Sequence, residues 1–195
     1  GRRFKSYLAY HFHPVSSRPR LRRRASRAVP APAVSYVSWS DPLPMTEPQD
    51  FSSFQLDPRI LAAISEMGYV KPTPIQQKAI PVVLAGQDVM GAAQTGTGKT
   101  AGYGLPLLQR ILPHENSSAS PARHPVRALI LAPTRELADQ VNENLKAYAS
   151  KTRLRVGVVF GGVDIRPQSE MLRRGVEVLT ATPGRLLDHI EQKAT

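Results

Sequence analysis

The sequence predicts an α/β domain in which a parallel sheet is covered by helices on both faces. From residue 51 onwards, short apolar runs of strand length alternate with longer segments whose apolar residues recur at helical spacing. This alternation is typical of parallel strands joined by crossover helices. A glycine-rich turn at 94–98 also lies between a predicted strand and a predicted helix. Strand, turn and helix in that order form the basic unit of such sheets.

The first two helices are predicted from their start and stop signals. A helix over 58–67 begins at an Asp-Pro pair, which supplies an N-cap and a proline at the first position, and ends at Gly68. A second helix over 74–85 begins at a Thr-Pro pair and ends at Gly86. Because Pro81 falls inside this second pattern, we expect a kink or a shortened helix there.

The rest of the chain is predicted as alternating strands and helices. Buried strands are expected at 88–92, 127–132, 155–160 and 176–181. Helices are expected at 99–112, 134–149, 167–174 and 183–192. In the long helix at 134–149, helical spacing directs Leu137, Val141 and Leu145 inward. A polar, proline-containing segment at 114–125 is expected to form a loop.

Composition excludes several classes of protein. No run approaches the roughly 18 apolar residues needed to span a bilayer, so a membrane-spanning protein is not expected. The absence of cysteine excludes disulfide scaffolds, thiolate metal sites and cysteine nucleophiles, and it is compatible with a cytoplasmic protein, which we expect. The formal net charge is +11, from 26 Lys and Arg against 15 Asp and Glu. A charge of this size suggests a nucleic-acid partner, provided that it lies on the folded domain.

Most of that charge lies in the first part of the chain. Residues 1–44 carry a net charge of +8 and six prolines without any sustained period, and the rest of the chain carries +3. We therefore predict that 1–48 form a disordered Arg- and Pro-rich head. Three interpretations of the head are open. It is a nucleic-acid-binding arm, an organelle transit peptide, or a non-native segment ahead of a true start at Met45.

The glycine-rich turn has the residues that a triphosphate site requires. It reads Ala93, Gln94, Thr95, Gly96, Thr97, Gly98, Lys99 and Thr100. Gly96 and Gly98 allow successive backbone N–H groups to face phosphate oxygens. Lys99 brings a positive charge to the β- and γ-phosphates, and the Thr100 hydroxyl can ligate Mg²⁺, so both are candidate catalytic residues. The alternative is an ordinary glycine-rich turn before a surface lysine.

Four further segments accompany this phosphate loop in a fixed order. They are Phe51 with Gly68–Gln76, then Pro133–Ala138, then Gly161-Gly162, then Thr182–Arg185. With them, the chain resembles the first RecA-like P-loop NTPase domain of DEAD-box RNA helicases, and it is most similar to the bacterial RhlE-type branch. The resemblance runs from about Phe51 to the end of the chain. In this family an alanine stands at the start of the phosphate loop, as Ala93 does here.

The resemblance implies that the segment before the phosphate loop recognises adenine. The implied ATP-binding residues here are Phe51, Tyr69, Lys71, Thr73 and Gln76, in addition to the phosphate loop. The glutamine amide would pair with the edge of adenine, and the upstream aromatic ring would stack on the base. Two alternatives are open at these positions. Thr73 and Gln76 also match a helix capping box, and Phe51 alone is compatible with simple core packing.

The last three segments are implied to bind the sugar–phosphate backbone of RNA. Their residues are Pro133, Thr134, Arg135, Glu136, Gly161, Gly162, Thr182, Pro183, Gly184 and Arg185. Thr134 and Thr182 are each expected at a helix N-terminus that follows a strand, where free N–H groups attract phosphate. The carboxyl ends of parallel strands are also where such sheets bind ligands. Each segment also has an ordinary interpretation when taken singly. Thr182-Pro183 is a standard helix start, Gly161-Gly162 an ordinary turn, and Arg135 with Glu136 a solvated first turn.

Three regions are therefore predicted. The head at 1–48 precedes an adenine-reading segment at 49–77 and the amino-terminal part of a truncated RecA-like domain at 78–195. No Asp-Glu-Ala-Asp occurs in the chain, and a second RecA-like domain is expected beyond residue 195. The predicted function is an ATP- and Mg²⁺-dependent RNA helicase segment with negligible hydrolysis of its own. The alternatives are a non-catalytic nucleotide- or RNA-binding module, or another P-loop NTPase such as a DNA translocase.

Overall fold

The computed structural model describes residues 6–10, 34–38, 50–94, 96–120, 122 and 124–192, the first two ranges as backbone only. Its six strands are β1 Ser6–Tyr10, β2 Val34–Ser38, β3 Asp88–Ala93, β4 Ala128–Leu131, β5 Val156–Val159 and β6 Val178–Ala181. Its six α-helices are α1 Pro58–Glu66, α2 Pro74–Leu84, α3 Lys99–Ile111, α4 Arg135–Tyr148, α5 Ile165–Arg174 and α6 Pro183–Glu191. Single 3₁₀ turns at Phe51–Phe54 and Leu112–His114 precede α1 and follow α3.

The strands of the described ranges form two sheets. In one, β6 lies between β4 and β5, and all three strands run parallel. In the other, β3 lies between β2, which is parallel to it, and β1, which is antiparallel. Each strand of the parallel sheet is followed by a helix, so the loops after β4, β5 and β6 all lie at one edge of that sheet.

Helices cover both faces of the parallel sheet, as predicted. On one face, Ala128, Ile130 and Val178 join the main core with apolar residues of α1, α3 and α4. On the other face, Val159 and Leu179 pack with residues of α5 and α6. The alternation of side chains along each strand divides these residues between the two cores. No helix of the described residues is long and apolar enough to cross a membrane.

The predicted start signals are found at the N-termini of α1 and α2, but Pro81 inside α2 does not end that helix. Asp57 accepts the Arg59 N–H at 2.9 Å and so caps α1. In α2 the helix continues through Pro81 to Leu84, so the prediction of a shortened helix is wrong. Pro81 is exposed, and a proline on the outer face of a helix removes one hydrogen bond without disturbing a packed neighbour.

Two predictions about burial are also wrong. β4 was expected to be buried on both faces, but Leu129 and Leu131 are exposed at 42% and 52%. β4 is an edge strand, and the core cluster on the α5 and α6 side does not extend over it. Leu137 is 39% exposed rather than inward-facing, while Val141 and Leu145 are buried as expected. Leu137 lies in the first turn of α4, before the helix reaches the main core.

The prediction of a disordered head is incorrect for two five-residue segments. β1 and β2 form a ladder with both edges of β3, from Ser6 opposite Ala93 and from Val34 opposite Asp88. Their sequences, Ser-Tyr-Leu-Ala-Tyr and Val-Ser-Tyr-Val-Ser, are rich in residues that favour strands. The unpaired edges of β3 supply the backbone partners, and this non-local pairing has no signal in local composition. The rest of the predicted head lies outside the described residues.

Candidate functional site

The phosphate loop joins the end of β3 to the start of α3. Gly96 and Gly98 have φ angles of 82° and 83°, a region that glycine adopts without a steric cost. Lys99 opens α3, and its Nζ donates to the Gln94 carbonyl at 2.6 Å. Burial lowers the pKa of the Lys99 ammonium from its ordinary value. The loop is therefore curled around the lysine, as a phosphate site requires, and Thr95 alone of its residues lies outside the described part.

Two hydroxyl groups of the loop also have partners within the protein. Thr97 Oγ1 donates to the Gln94 carbonyl at 2.8 Å, which closes the turn that contains Gly96. The Thr100 side chain hydrogen-bonds with Tyr103, one turn further along α3. Burial raises the pKa of the Tyr103 phenol to about 12. The Thr100 hydroxyl is thus held at the first turn of α3, beside the loop.

Gln76 and Thr73 connect α2 to the phosphate loop. Gln76 Oε1 accepts the Thr73 backbone N–H at 2.9 Å, as the capping-box alternative predicts. Gln76 Nε2 donates to the Gly98 carbonyl at 3.0 Å, and the Thr73 hydroxyl donates to the Thr97 carbonyl at 2.9 Å. Gln76 is only 2% exposed. The start of α2 therefore holds the loop by two hydrogen bonds, which links the two predicted parts of the nucleotide site.

The aromatic residues of the predicted adenine segment belong to the core. Phe51 is 4% exposed and makes an edge-on contact with Tyr69, with ring centroids 5.8 Å apart. The Tyr69 and Tyr148 hydroxyls lie 2.9 Å apart. Core packing, the alternative interpretation of Phe51, therefore describes its contacts in this structure. Lys71, the remaining predicted residue, is exposed and precedes the start of α2.

A cavity of about 380 Å³ opens where α2 meets the phosphate loop. It is lined by Thr73, Pro74, Ile75, Gln94 and Thr97. Its volume is within the range of small-molecule sites. Thr73, Gln94 and Thr97 are predicted nucleotide-binding residues. Pro74 and Ile75 are not, although they lie in the segment that carries the resemblance. Their apolar side chains gave no sign of a ligand.

The loops after β4 and β5 meet through an arginine. Thr134 caps α4 by accepting the Leu137 N–H at 3.3 Å, and it leaves Arg135 exposed in the first helical turn. The Arg135 guanidinium lies 5.1 Å from the centroid of the Phe160 ring, a cation–π distance. Gly162, which has a φ of 82°, lies beside the same guanidinium, and a Cβ added there would be 3.9 Å from Arg135 Nη1. Pro133 and Glu136 are exposed beside it, and Gly161 follows Phe160 directly.

The loop after β6 is connected to the loop after β5 by a second arginine. Arg185 Nη2 donates to the Val163 carbonyl at 2.9 Å, and Arg185 Nε lies 3.4 Å from Asp188. The Arg185 side chain is only 10% exposed, and its Nη1 has no hydrogen-bond partner in the described part of the chain. Thr182, Pro183 and Gly184 form the start of α6 just before it. All ten predicted RNA-contacting residues thus lie in the loops after β4, β5 and β6 or in the first turns of α4 and α6, at the carboxyl ends of the strands.

These features define a P-loop NTPase domain of RecA-like fold with a second, polar site formed by strand-end loops. A family model for DEAD/DEAH box helicases matches residues 73–195, and the chain belongs to this family. Among the described residues no group of three or more His, Cys, Asp or Glu side chains could hold a metal ion.

Curated relatives agree with this assignment. The chain is 46% identical over 143 residues to the ATP-dependent RNA helicase CshA of Listeria monocytogenes, covering 73% of this chain and 26% of the relative. It is also 46% identical over 144 residues to the ATP-dependent RNA helicase RhlB of Xanthomonas oryzae, covering 73% and 25%. The chain therefore spans about a quarter of the length of these relatives. The finer prediction of an RhlE-type branch stays a prediction.

Solved structures agree as well. A DEAD box protein from the hyperthermophile Methanococcus jannaschii superposes with a TM-score of 0.64 at 35% identity, over 77% of this chain and 39% of that one. A hypothetical ATP-dependent RNA helicase from Sulfolobus tokodaii superposes with a TM-score of 0.59 at 31% identity, over 72% and 38%. The predicted fold class and family are both confirmed.

Proposed function

We propose that this chain is the ATP- and RNA-binding amino-terminal segment of an ATP-dependent RNA helicase that couples ATP binding and hydrolysis to RNA duplex unwinding or remodelling. The observation that carries the proposal is the pair of hydrogen bonds from Thr73 and Gln76 to the phosphate loop. They attach a candidate base-recognition element directly to a candidate triphosphate site. The names of the relatives, ATP-dependent RNA helicases, support the same reading.

In this function Lys99 and the loop N–H groups would bind the phosphates of ATP. The Lys99 ammonium lies at the N-terminus of α3, whose partial positive charge also favours phosphate. Gln76 would read adenine by exchanging its two internal hydrogen bonds for bonds to the base edge. Occupancy of the base site would then release Gly98 and Thr73 from Gln76, so that the loop responds to the nucleotide.

RNA would bind along the three strand-end loops. The N-termini of α4 and α6 offer N–H groups to phosphate oxygens, and both arginines lie beside them. Arg135 is exposed on the Phe160 ring and would contact the backbone directly, while Arg185, which is only 10% exposed, would hold the loop after β5 through the Val163 carbonyl. Contacts of this kind hold the backbone without reading the bases, which suits a helicase that acts on many sequences.

Mg²⁺ fits the chemistry of the residues present. This ion keeps several waters and takes most of its remaining ligands from phosphate oxygens, so one protein hydroxyl is sufficient. Thr100 is the residue that would hold it, and its hydroxyl is already fixed by Tyr103 at the loop. Bound there, the ion would neutralise charge on the β- and γ-phosphates. We place the protein in the cytoplasm, and we expect the second RecA-like domain to complete the ATP site.

Binding of a fluorescent ATP analogue and of a labelled single-stranded RNA to the full 195-residue chain tests the proposal. Lys99→Ala should weaken nucleotide binding at least tenfold, because it removes the phosphate-facing charge. Lys146→Ala, which changes an exposed lysine of α4 paired with Glu143, should leave the affinity within about twofold and is the matched control. Arg135→Ala should weaken RNA binding without affecting the nucleotide. Equal nucleotide binding by Lys99→Ala and the unmodified chain would refute the proposal.

A further inference from the structure

A second cavity lies at the amino-terminal ends of the strands of the parallel sheet, on the side opposite the loops that follow β4, β5 and β6. It has a volume of about 540 Å³ and lies where β5 and β6 begin and α5 ends. Its lining residues are Ala119, Arg155, Val156, Met171, Arg174, Gly175 and Val176. A cavity of this size accommodates a small molecule or a large side chain of a partner. None of these residues belongs to the proposed ATP or RNA site.

The floor of the cavity is apolar and adaptable. Val156, Met171 and Val176 supply aliphatic and thioether surface, and Val176 is buried in the core beneath. Met171 packs closely over Gly157, where an added Cβ would lie 2.6 Å from the Met171 sulfur. Methionine adjusts its rotamer to different apolar shapes and is common at binding surfaces. The floor therefore suits an apolar side chain.

The rim of the cavity is held in place by Arg155. Its Nη1 donates to the Arg174 carbonyl at 2.6 Å, and its Nη2 donates to the Ser118 carbonyl at 3.0 Å. These bonds fix the guanidinium between the end of α5 and the loop that carries Ala119. Arg174 itself is 81% exposed, and its nearest carboxylate oxygen, on Glu170, is 3.9 Å away. A contact of that length at the surface neutralises little of its charge.

The surroundings of the rim add further positive charge. Arg127, Arg153 and Arg173 are exposed at the same sheet edge, next to β4, β5 and the end of α5. Of the carboxylates there, Glu177 is buried against His124, and Glu115 is paired with Arg59. Most of the acidic charge is therefore already engaged, and the arginines leave a net positive surface around an apolar cavity.

We propose that this cavity docks an acidic segment of a protein partner, with an apolar side chain in the floor and carboxylates on Arg155 and Arg174. Charge complementarity favours an acidic partner. A protein is favoured over RNA because the lining contains no aromatic ring for a base to stack on. The apolar floor formed by Val156, Met171 and Val176 also suits an aliphatic side chain, which a protein segment supplies and a nucleic-acid backbone does not. Docking at this edge leaves the RNA loops accessible.

Fluorescence anisotropy with the full chain tests the docking site. The probe is a fluorescein-labelled peptide in which one leucine is flanked by glutamates and aspartates. Arg174→Glu should weaken its binding about tenfold, because it reverses a charge at the rim. Ala119→Trp, on an exposed loop, should weaken binding to a similar extent by filling the cavity. Arg166→Glu makes the same charge change at the other end of α5 and should change the affinity less than twofold.

Two comparisons make the result decisive. A peptide with serine in place of leucine should bind about tenfold more weakly, since the floor would stay empty. A labelled single-stranded RNA should bind Arg174→Glu and the unmodified chain equally. The proposal is overturned if the leucine peptide does not bind or if Arg174→Glu and Ala119→Trp leave its affinity unchanged. It is also overturned if Arg174→Glu weakens RNA more than peptide, which would make the edge an RNA surface. Lys99→Ala should not affect peptide binding, which separates this test from the proposed ATP function.

Discussion

At the scale of single residues, Gln76 is the side chain on which the candidate nucleotide site depends. Its two amide atoms bond to Thr73 and Gly98, and it is almost fully buried. Gln76→Ala would leave the Thr73 N–H and the Gly98 carbonyl without their partner. We expect the free energy of unfolding to fall by about 1–3 kcal/mol, the cost of unpaired buried groups. Urea denaturation measures this loss.

The same substitution tests the reading of adenine. If Gln76 recognises the base, Gln76→Ala should reduce the preference for ATP over GTP to near unity, as competition with a fluorescent ATP analogue would show. Gln77→Ala is the control, because among the described residues the Gln77 side chain donates only to the Pro72 carbonyl, at 3.2 Å, and makes no hydrogen bond to the phosphate loop. A stability loss with an unchanged ATP preference would leave capping as the sole role of Gln76.

His189 makes stability depend on pH. It is fully buried on α6, with Nδ1 3.4 Å from the Ser169 hydroxyl. Burial, and then the charge of Arg185, lowers the pKa of His189 below its ordinary value of 6.5. The folded state therefore takes up the proton on His189 less readily than the unfolded state. The free energy of unfolding is highest above about pH 6.5, and it decreases as pH falls from there towards the lowered pKa.

We therefore expect the unmodified chain to lose more stability than His189→Gln between pH 7.5 and pH 5. Urea midpoints of both proteins, measured at several pH values, give the difference. The slope from one such group approaches at most about 1.4 kcal/mol per pH unit. His114→Gln, which changes an exposed histidine, should follow the unmodified chain. Parallel curves for the unmodified chain and His189→Gln would contradict the argument.

At the scale of elements, the loop between α3 and β4 is held by a buried contact between a histidine and a glutamate. His124 contacts the Glu177 carboxylate through Nδ1. Its Nε2 lies 2.7 Å from the Ser118 carbonyl oxygen. The other Glu177 oxygen accepts the Arg155 N–H at 2.8 Å. The His124 and Glu177 side chains are both fully buried. This network joins the loop to the starts of β5 and β6 and places Ala119 at the docking cavity.

His124→Ala should be strongly destabilising. It leaves the buried Glu177 carboxylate without its His124 hydrogen-bond partner, which costs about 1–3 kcal/mol. Urea denaturation would measure the decrease in the free energy of unfolding. Limited proteolysis would show whether the loop between α3 and β4 becomes more accessible. His114→Ala removes an exposed histidine just before the same loop and should cost less than about 0.5 kcal/mol. A loss of that small size for His124→Ala would mean that the pair does not fasten the loop.

Elements with local signals were predicted well, and those set by distant contacts were not. Asp57 and Gly68 delimit α1 by capping and by a positive φ, which are properties of a few neighbouring residues. The exposure of β4 depends instead on its position at the edge of the sheet, which the order of strands decides. The pairing of β1 and β2 with β3 is equally non-local. The site followed the same rule: the phosphate loop is one continuous segment, while the bonds of Gln76 to it span 22 residues.

At the scale of the whole molecule, the two ends of the strands in the parallel sheet present different surfaces. The carboxyl ends of the strands carry the residues proposed for RNA, and the opposite edge carries the apolar cavity with its arginines. The body of the chain has a net charge of only +3, so overall charge does not identify either surface. The position of the residues on the fold identifies these surfaces, because side chains distant in sequence meet at the ends of parallel strands.

The exposed edge of that sheet has a consequence for the molecule in solution. Among the described strands, β4 lies at an edge of the parallel sheet, and Leu129 and Leu131 project from it into solvent. An edge strand with unpaired backbone groups and exposed leucines is a template for pairing with another chain. We therefore expect the 195-residue chain to self-associate through β4 as its concentration rises. Sedimentation velocity at increasing concentration measures this association.

Leu131→Lys should suppress the association, because a lysine on an edge strand opposes pairing while its exposed position tolerates the change. Val70→Lys introduces the same charge at a residue that is 74% exposed in a loop, and it should leave the association unchanged. Both variants should unfold in urea within about 0.5 kcal/mol of the unmodified chain, since neither side chain is buried. If the unmodified chain stays monomeric at every concentration, or if both lysines act equally, β4 is not the contact and its leucines are tolerated as ordinary surface.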